Sequence, residues 1–255
     1  MAKQARAIRT RRVILEAAAK VFEEHGYEAA TITEILRVAG VTKGALYFHF
    51  QSKEDLAHGV LAEQNRSISV PGRACQVQEL IDVVALHGYL LQTSPMVRAG
   101  VRLSMNQQAR GLDRSGAFNR WVTAIEGLLE AAKAQGELLP HVRTAETAAV
   151  VVGSFAGMQS MSEVTSDYRD LGEQVAALMR HLLPSIVLPS VLASLDLAPD
   201  RGARVHAELP EPSADSDGDA DTEPDPAPSP GAESDAAVES ASGPGSGSGP
   251  EHALI

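Results

Sequence analysis

The side chains whose types and spacing suit chemistry lie between residues 31 and 53. Lys43 and Tyr47 are four apart, so on a helix they share a face. There the lysine could meet a base acceptor or a phosphate, and the tyrosine ring could give apolar contact with a polar tip. Gly44 between them carries no side chain, which lets bare backbone approach a duplex at a cost of roughly 1 kcal/mol in helix propensity. Thr31, Thr42 and Lys53 fall at helix starts, where free amides and the positive end of the helix dipole favour phosphate. Thr33 accompanies Thr31, and His49 is the remaining polar residue near that surface. Taken singly, such residues are more often solvated side chains on a small bundle. Together with Lys3, Arg6, Arg9, Arg11 and Arg12, which put five positive charges and no acid into the first twelve residues, they point to a basic arm and a polyanionic partner.

Enzyme chemistry lacks its minimum parts. The 8 histidines form no HExxH pair, a single cysteine excludes CxxC, and no GxSxG, GxxxxGKS/T or GxGxxG segment occurs. Hydrolase, zinc and nucleotide readings fall away, and neither a cofactor nor a metal is expected.

The elements that would carry these residues all read with a helical period, and no alternating strand pattern survives. Val13, Ile14, Ala17, Val21 and Phe22 form an apolar stripe that stops near His25 and Gly26. Thr31-Ile32-Thr33-Glu34 matches a capping box ahead of Ile35, Leu36 and Ala39. Gly40 then breaks the chain, Thr42 caps a third helix bearing Leu46 and Phe50, and Ser52-Lys53-Glu54-Asp55 caps a fourth. Two short helices joined by a tight turn behind a longer one have the layout of a helix-turn-helix. Ser69-Val70-Pro71-Gly72 marks a boundary, beyond which helices are expected at 76–92, 95–107, 116–135, 144–164, 169–183 and 185–196, with a break from Gly111 to Ser115. The expected fold is all-α: a DNA-binding head (1–66), a helical bundle (67–197) and an acidic tail (198–255).

The tail changes what the net charge means. The chain has 33 acidic and 22 basic residues, a formal charge of -11, which at face value argues against a polyanionic partner. Residues 198–255 hold 13 of the acids, 2 arginines and 9 of the 14 prolines, leaving 20 charges of each sign in residues 1–197. Such a composition buries too little apolar surface to offset chain entropy, so the tail is expected to be disordered, which leaves open a role as an interaction module. One cysteine, a basic start without an apolar run and no stretch long enough to span a bilayer point to a cytoplasmic protein without a membrane partner.

Residues 8–61 resemble the DNA-binding head of the tetracycline-repressor family. The resemblance is carried by Ala39-Gly40-Val41-Thr42-Lys43-Gly44-Ala45-Leu46-Tyr47-Phe48-His49-Phe50, followed by Ser52-Lys53-Glu54-Asp55-Leu56. Pro95-Met96-Val97-Arg98-Ala99-Gly100-Val101-Arg102-Leu103 and Phe118-Asn119-Arg120-Trp121 resemble the regulatory half of its γ-butyrolactone autoregulator receptors. By that resemblance Lys43, Gly44, Ala45, Tyr47, His49 and Lys53 match positions that contact operator DNA. Ala45 departs from relatives with a hydroxyl or amide there and offers only a methyl contact.

In the regulatory half, Trp121 reads from spacing alone as an ordinary core anchor, with Ile125 one turn on. The resemblance implies instead that it lines a cavity and stacks on a lactone, and that Gln64 faces the same cavity. Leu86, Leu90, Leu103, Ile125, Phe155 and Met158 are candidate apolar walls, with His87 and Gln159 as candidate polar anchors. Met158 departs from relatives that carry a small hydroxyl residue nearby. The implied function is a repressor that binds double-stranded operator DNA as a homodimer, joined through its last two long helices with Leu178, Met179 and Leu182 contributing. A small lipophilic lactone-like effector releases it; a broad drug-sensing repressor of an efflux gene is the second reading.

Overall fold

The computed structural model of the chain describes residues 2–66, 68–105 and 114–210. They form α1 (Ala2–Ala29), α2 (Ile32–Ala39), α3 (Lys43–His49), α4 (Lys53–Arg66), α5 (Gln76–Thr93), α6 (Pro95–Met105), α7 (Arg114–Ala134), α8 (Thr144–Ser166) and α9 (Leu171–Leu182). A 3-10 turn (Leu183–Ser185), α10 (Pro189–Leu192) and α11 (Arg201–Glu208) follow. Among the described residues there is no strand, only an isolated antiparallel bridge between Leu138 and Val187.

Local chemistry sets the first four elements. Gly26, at φ 73°, interrupts the regular geometry of α1. The Thr31 hydroxyl accepts the Glu34 amide at 3.2 Å, but Glu34 does not reach back, because Arg37 donates to both of its carboxylate oxygens at 2.7 and 3.1 Å. Gly40 adopts the left-handed conformation at φ 64° and closes α2 with a 3.0 Å bond to the Leu36 carbonyl. Thr42 accepts the Ala45 amide at 3.2 Å and starts α3. At α4 a variant of the box forms: Ser52 Oγ accepts the Asp55 amide at 3.0 Å, and the Asp55 carboxylate reaches back to accept the amide of Gln51, one residue before the cap, at 2.9 Å.

Two apolar cores result. Ile14, Val21 and Phe22 of α1 pack with Ile35, Leu46, Phe50, Leu56 and Val60 in the head. Ala99 and Leu103 of α6 belong to that same core, so the boundary expected at residue 66 divides the sequence but not the packing. The body core joins Leu80 and Leu86 of α5, Ile125 and Leu129 of α7, Val151 of α8, and Leu171 and Val175 of α9. Met179, expected at the dimer face, is 1% exposed and lies inside this core, whereas Leu178 and Leu182 are half-buried.

The basic arm is helical, since α1 begins at Ala2 and Arg6, Arg9, Arg11 and Arg12 stand exposed on its first turns. Two expectations need correction. The helix expected at 185–196 is a 3-10 turn and a four-residue helix, because Pro184 and Pro189 each lack the amide a continuous helix needs. Folded structure also continues past residue 197. Helix α11 docks on α5 so closely that a β-carbon at Gly202 would lie 2.2 Å from the Ala85 carbonyl oxygen, and Val205 is fully buried beside it. Composition averaged over 198–255 conceals this helix, whose anchor is the distant Asp82. Residues 211–255 and most of the expected break between Gly111 and Ser115 lie outside the described residues.

Candidate nucleic-acid interface and cavity

Helix α3 turns Leu46 fully inward and leaves Lys43, Gly44, Tyr47 and Phe48 outward. The Lys43 ammonium sits 5.8 Å from the centre of the Tyr47 ring, and a β-carbon at Gly44 would meet nothing within 4 Å. Tyr47 is 45% exposed and Phe48, which residue-by-residue reading passed over, is 79% exposed. A bare phenyl ring so exposed on a recognition-type helix is suited to apolar contact with thymine methyl groups. Thr31, Thr33 and Thr42 are exposed. Because the Thr31 and Thr42 hydroxyl oxygens are already acceptors in their caps, their hydroxyl hydrogens remain able to donate to phosphate. Ala45 and His49 are half-buried. Burial, reinforced by the Arg11 guanidinium, holds the His49 imidazole below its ordinary pKa, so near neutral pH it acts as an uncharged hydrogen-bonding ring.

Lys53 does not face outward. Its ammonium donates to the carbonyl oxygens of Tyr27 at 2.8 Å, Ala30 at 3.1 Å and Glu28 at 3.2 Å, and lies 4.5 Å from the Tyr27 ring centre. This cation closes the C-terminal end of α1, where the dipole and unsatisfied carbonyls favour it. Lys53→Met is therefore expected to destabilise the protein by about 1–2 kcal/mol in thermal or urea denaturation. The slope of log K for DNA against log salt should stay unchanged; a slope shallower by about one would return Lys53 to a phosphate.

Below the head, α4, α5, α6, α7 and α8 surround a largely apolar cavity with about 690 Å³ of empty space, its open mouth included. Gln64, His87, Trp121, Ile125, Phe155 and Gln159, all expected there, line it. Leu86, Leu90, Leu103 and Met158 do not. Leu86 is fully buried in the body core, and Met158 is half-buried on α8 outside the lining. Leu90 fills the body core and Leu103 the head core. Sequence reading missed Leu61, Val84, Val101, Ser104, Phe118, Arg120, Val151, Val152 and Ala156. Helical spacing from the known members could have found several, since Leu61 is three before Gln64, Val84 three before His87, and Val151 and Val152 four and three before Phe155.

The polar groups of the wall are held tightly. Gln64 is 4% exposed and lies against α6 where Gly100 leaves room; a β-carbon at Gly100 would sit 2.1 Å from Gln64 Oε1. His87 stacks on Trp121 with ring centres 4.8 Å apart and planes within 8°, and tilts against Phe155 at 5.0 Å. Burial pushes its pKa down to about 3, so the imidazole is neutral.

Comparison with known proteins agrees with this geometry. Residues 14–60, from α1 to α4, match the family model for bacterial regulatory proteins of the tetR family. Over most of the chain, the A-factor receptor protein of Streptomyces griseus is 43% identical across 195 residues, 76% of this chain and 70% of that protein. The chain belongs to the tetR family of bacterial regulatory proteins. TetR proteins are DNA-binding regulators and not enzymes. Among solved structures, full-length TylP, a TetR regulator from Streptomyces fradiae, shares 44% identity with a TM-score of 0.74, covering 80% of this chain and 98% of that one. A gamma-butyrolactone receptor described as ArpA-like shares 29% identity with a TM-score of 0.61, covering 80% of this chain and 99% of that one.

In this TetR regulator α6 ties the head to the body. The Arg98 guanidinium pairs with the Glu23 carboxylate of α1 and donates to the carbonyls of Leu91 and Gln92, at the end of α5, at 3.1 and 3.2 Å. Arg102 donates to the Glu23 backbone carbonyl and to Glu163 of α8 at 3.0 and 3.2 Å. Val101 and Ser104, on another face of α6, line the cavity. One helix thus touches the head core, the cavity and α8 together.

Proposed function

We propose that the protein is a dimeric repressor released from its operator by a small γ-butyrolactone-type signal, in control of secondary metabolism. The observation that carries the reading is the mostly apolar cavity beneath the head, with Trp121 in its wall and few polar groups to orient a guest. Resemblance to the A-factor receptor and to a gamma-butyrolactone receptor supports the choice of ligand class.

Lys43, Gly44, Tyr47 and Phe48 form the face presented to the major groove, and the exposed arginines on the first turns of α1 neutralise phosphates. Positive charge at a helix N-terminus opposes the dipole, a cost that a neighbouring phosphate backbone offsets. The partner protomer meets α8. Val150, Met161 and Val164 are exposed there, and β-carbons at Gly153 and Gly157 would meet nothing within 4 Å, which leaves room for a second backbone. Two heads on a two-fold axis read half-sites about one helical turn apart. The ligand acts by binding better to a form whose heads are misplaced, and α6 is the element both states must share.

The test is a mobility shift on the DNA upstream of the protein's own gene, with and without a γ-butyrolactone, at two salt concentrations. Binding that weakens with salt and is lost on adding lactone is expected. Failure to bind, or binding indifferent to salt, overturns the reading. Release by many unrelated lipophiles at similar concentrations would make it a general drug sensor.

A further inference from the structure

Among the groups lining the cavity, His87 stands apart. It lies on α5 and is 5% exposed, yet its Nε2 has no hydrogen-bond partner. Both its aromatic neighbours, Trp121 and Phe155, offer ring faces and carbons rather than an acceptor or a donor in the ring plane. Buried polar atoms in folded proteins are almost always paired, so an unpaired one in a cavity wall marks where a guest's polar atom belongs. The stack on Trp121 fixes the plane of the ring. No hydrogen bond among the described residues fixes the tautomer, so Nε2 can either donate to a carbonyl or accept from a hydroxyl.

We propose that His87 Nε2 is a specificity-determining anchor that hydrogen-bonds one uncharged oxygen of the ligand, a carbonyl or a hydroxyl. This rests on the lactone reading above. Trp121 and Phe155 hold the imidazole in place for that single bond, and a ligand with a methylene in place of that oxygen leaves Nε2 buried and unpaired. A site built around a hydrogen bond rejects the analogue that lacks it more strongly than an apolar wall rejects a change in size.

The experiment is a cycle between residue and ligand atom, read by fluorescence of Trp121, the only tryptophan in the chain. Wild-type full-length protein, His87→Phe and His87→Gln are titrated with a γ-butyrolactone carrying an oxygen on its side chain. Two analogues are titrated in parallel, one with the side-chain oxygen and one with the ring carbonyl oxygen replaced by methylene hydrogens. Phenylalanine keeps the aromatic stack and removes the polar edge; glutamine restores a donor and an acceptor. In the wild type the analogue missing the paired oxygen should bind about tenfold or more weakly. In His87→Phe that ratio should fall to near one for the same analogue, and His87→Gln should recover part of it. Operator binding by each variant serves as the check on folding. If His87→Phe leaves both ratios at their wild-type values, the anchor is overturned while the lactone reading stands. If the parent lactone fails to bind wild-type protein, both are overturned.

Discussion

Asp82→Ala is expected to cost about 3–5 kcal/mol of stability and to lower the thermal midpoint by about 10 °C. The carboxylate is fully buried on α5 and is gripped from three directions. Arg201 donates to both of its oxygens at 2.7 and 2.6 Å, Arg73 donates at 2.7 Å and Gln78 at 2.9 Å. Burial alone would push this carboxyl up, but the hydrogen bonds from Arg201, Gln78 and Arg73 outweigh it and hold the group below its ordinary range. Alanine leaves two guanidiniums, 12% and 22% exposed, without their shared partner. Arg73 retains Glu208 at 2.6 Å, but Glu208 is itself on α11, which the lost pair no longer secures. Urea denaturation of wild type and variant measures the loss. A change under about 1 kcal/mol would mean that the arginines simply return to water.

Acid should weaken the fold in two stages. His87 is neutral in the folded protein down to about pH 3, while in the unfolded chain it binds a proton near pH 6.5. Below about pH 6.5 the unfolded state therefore holds the extra proton, and stability falls by up to about 1.4 kcal/mol per pH unit. Asp82 has a depressed folded pKa, so its contribution is full above the ordinary carboxylate range and is lost as pH drops through the depressed value.

Trp121→Ala should weaken lactone binding about 100-fold and so abolish release, while operator affinity stays within about threefold of wild type. The indole forms part of the cavity wall and covers one face of His87, so its loss removes aromatic contact from the ligand and opens the stack. It has no part in the head core, whose members come from α1 to α4 and α6. Mobility shifts across a lactone titration separate the two effects. An equal loss of DNA binding and of release would identify Trp121 as a packing residue of the body rather than a ligand contact.

The head was legible in the sequence because its signals are local. A threonine cap, a glycine with positive φ and a second threonine cap occur within twelve residues, and each acts on amides no more than four positions away. The partners of Lys53 were not legible, for the opposite reason. Tyr27, Glu28 and Ala30 are more than twenty residues earlier, and nothing in a serine-lysine-glutamate run announces them. The cavity was legible at Trp121 and Gln64 only through the family resemblance, since by spacing alone Trp121 reads as a core anchor, whereas His87 stands out as a polar residue on the apolar helix α5. Val84, Val101 and Val151 went unseen because a valine facing empty space and one facing another side chain read the same in a sequence. Helix α11 was lost to averaging: eight residues with two useful arginines sit at the head of a long acidic segment, and the glycine that lets them dock fits against a carbonyl more than a hundred positions away.

The double allegiance of α6 has a consequence for protein engineering. Chimaeric regulators are built by cutting between a reading head and a sensor, and the breaker at Ser69-Val70-Pro71-Gly72 invites the cut there. A head severed at that point leaves behind Ala99 and Leu103 from its own interior and both guanidiniums that meet Glu23. A transplanted head that keeps its native packing must bring α6 with it, and the grafted sensor must then accept Val101 and Ser104 as part of its own wall.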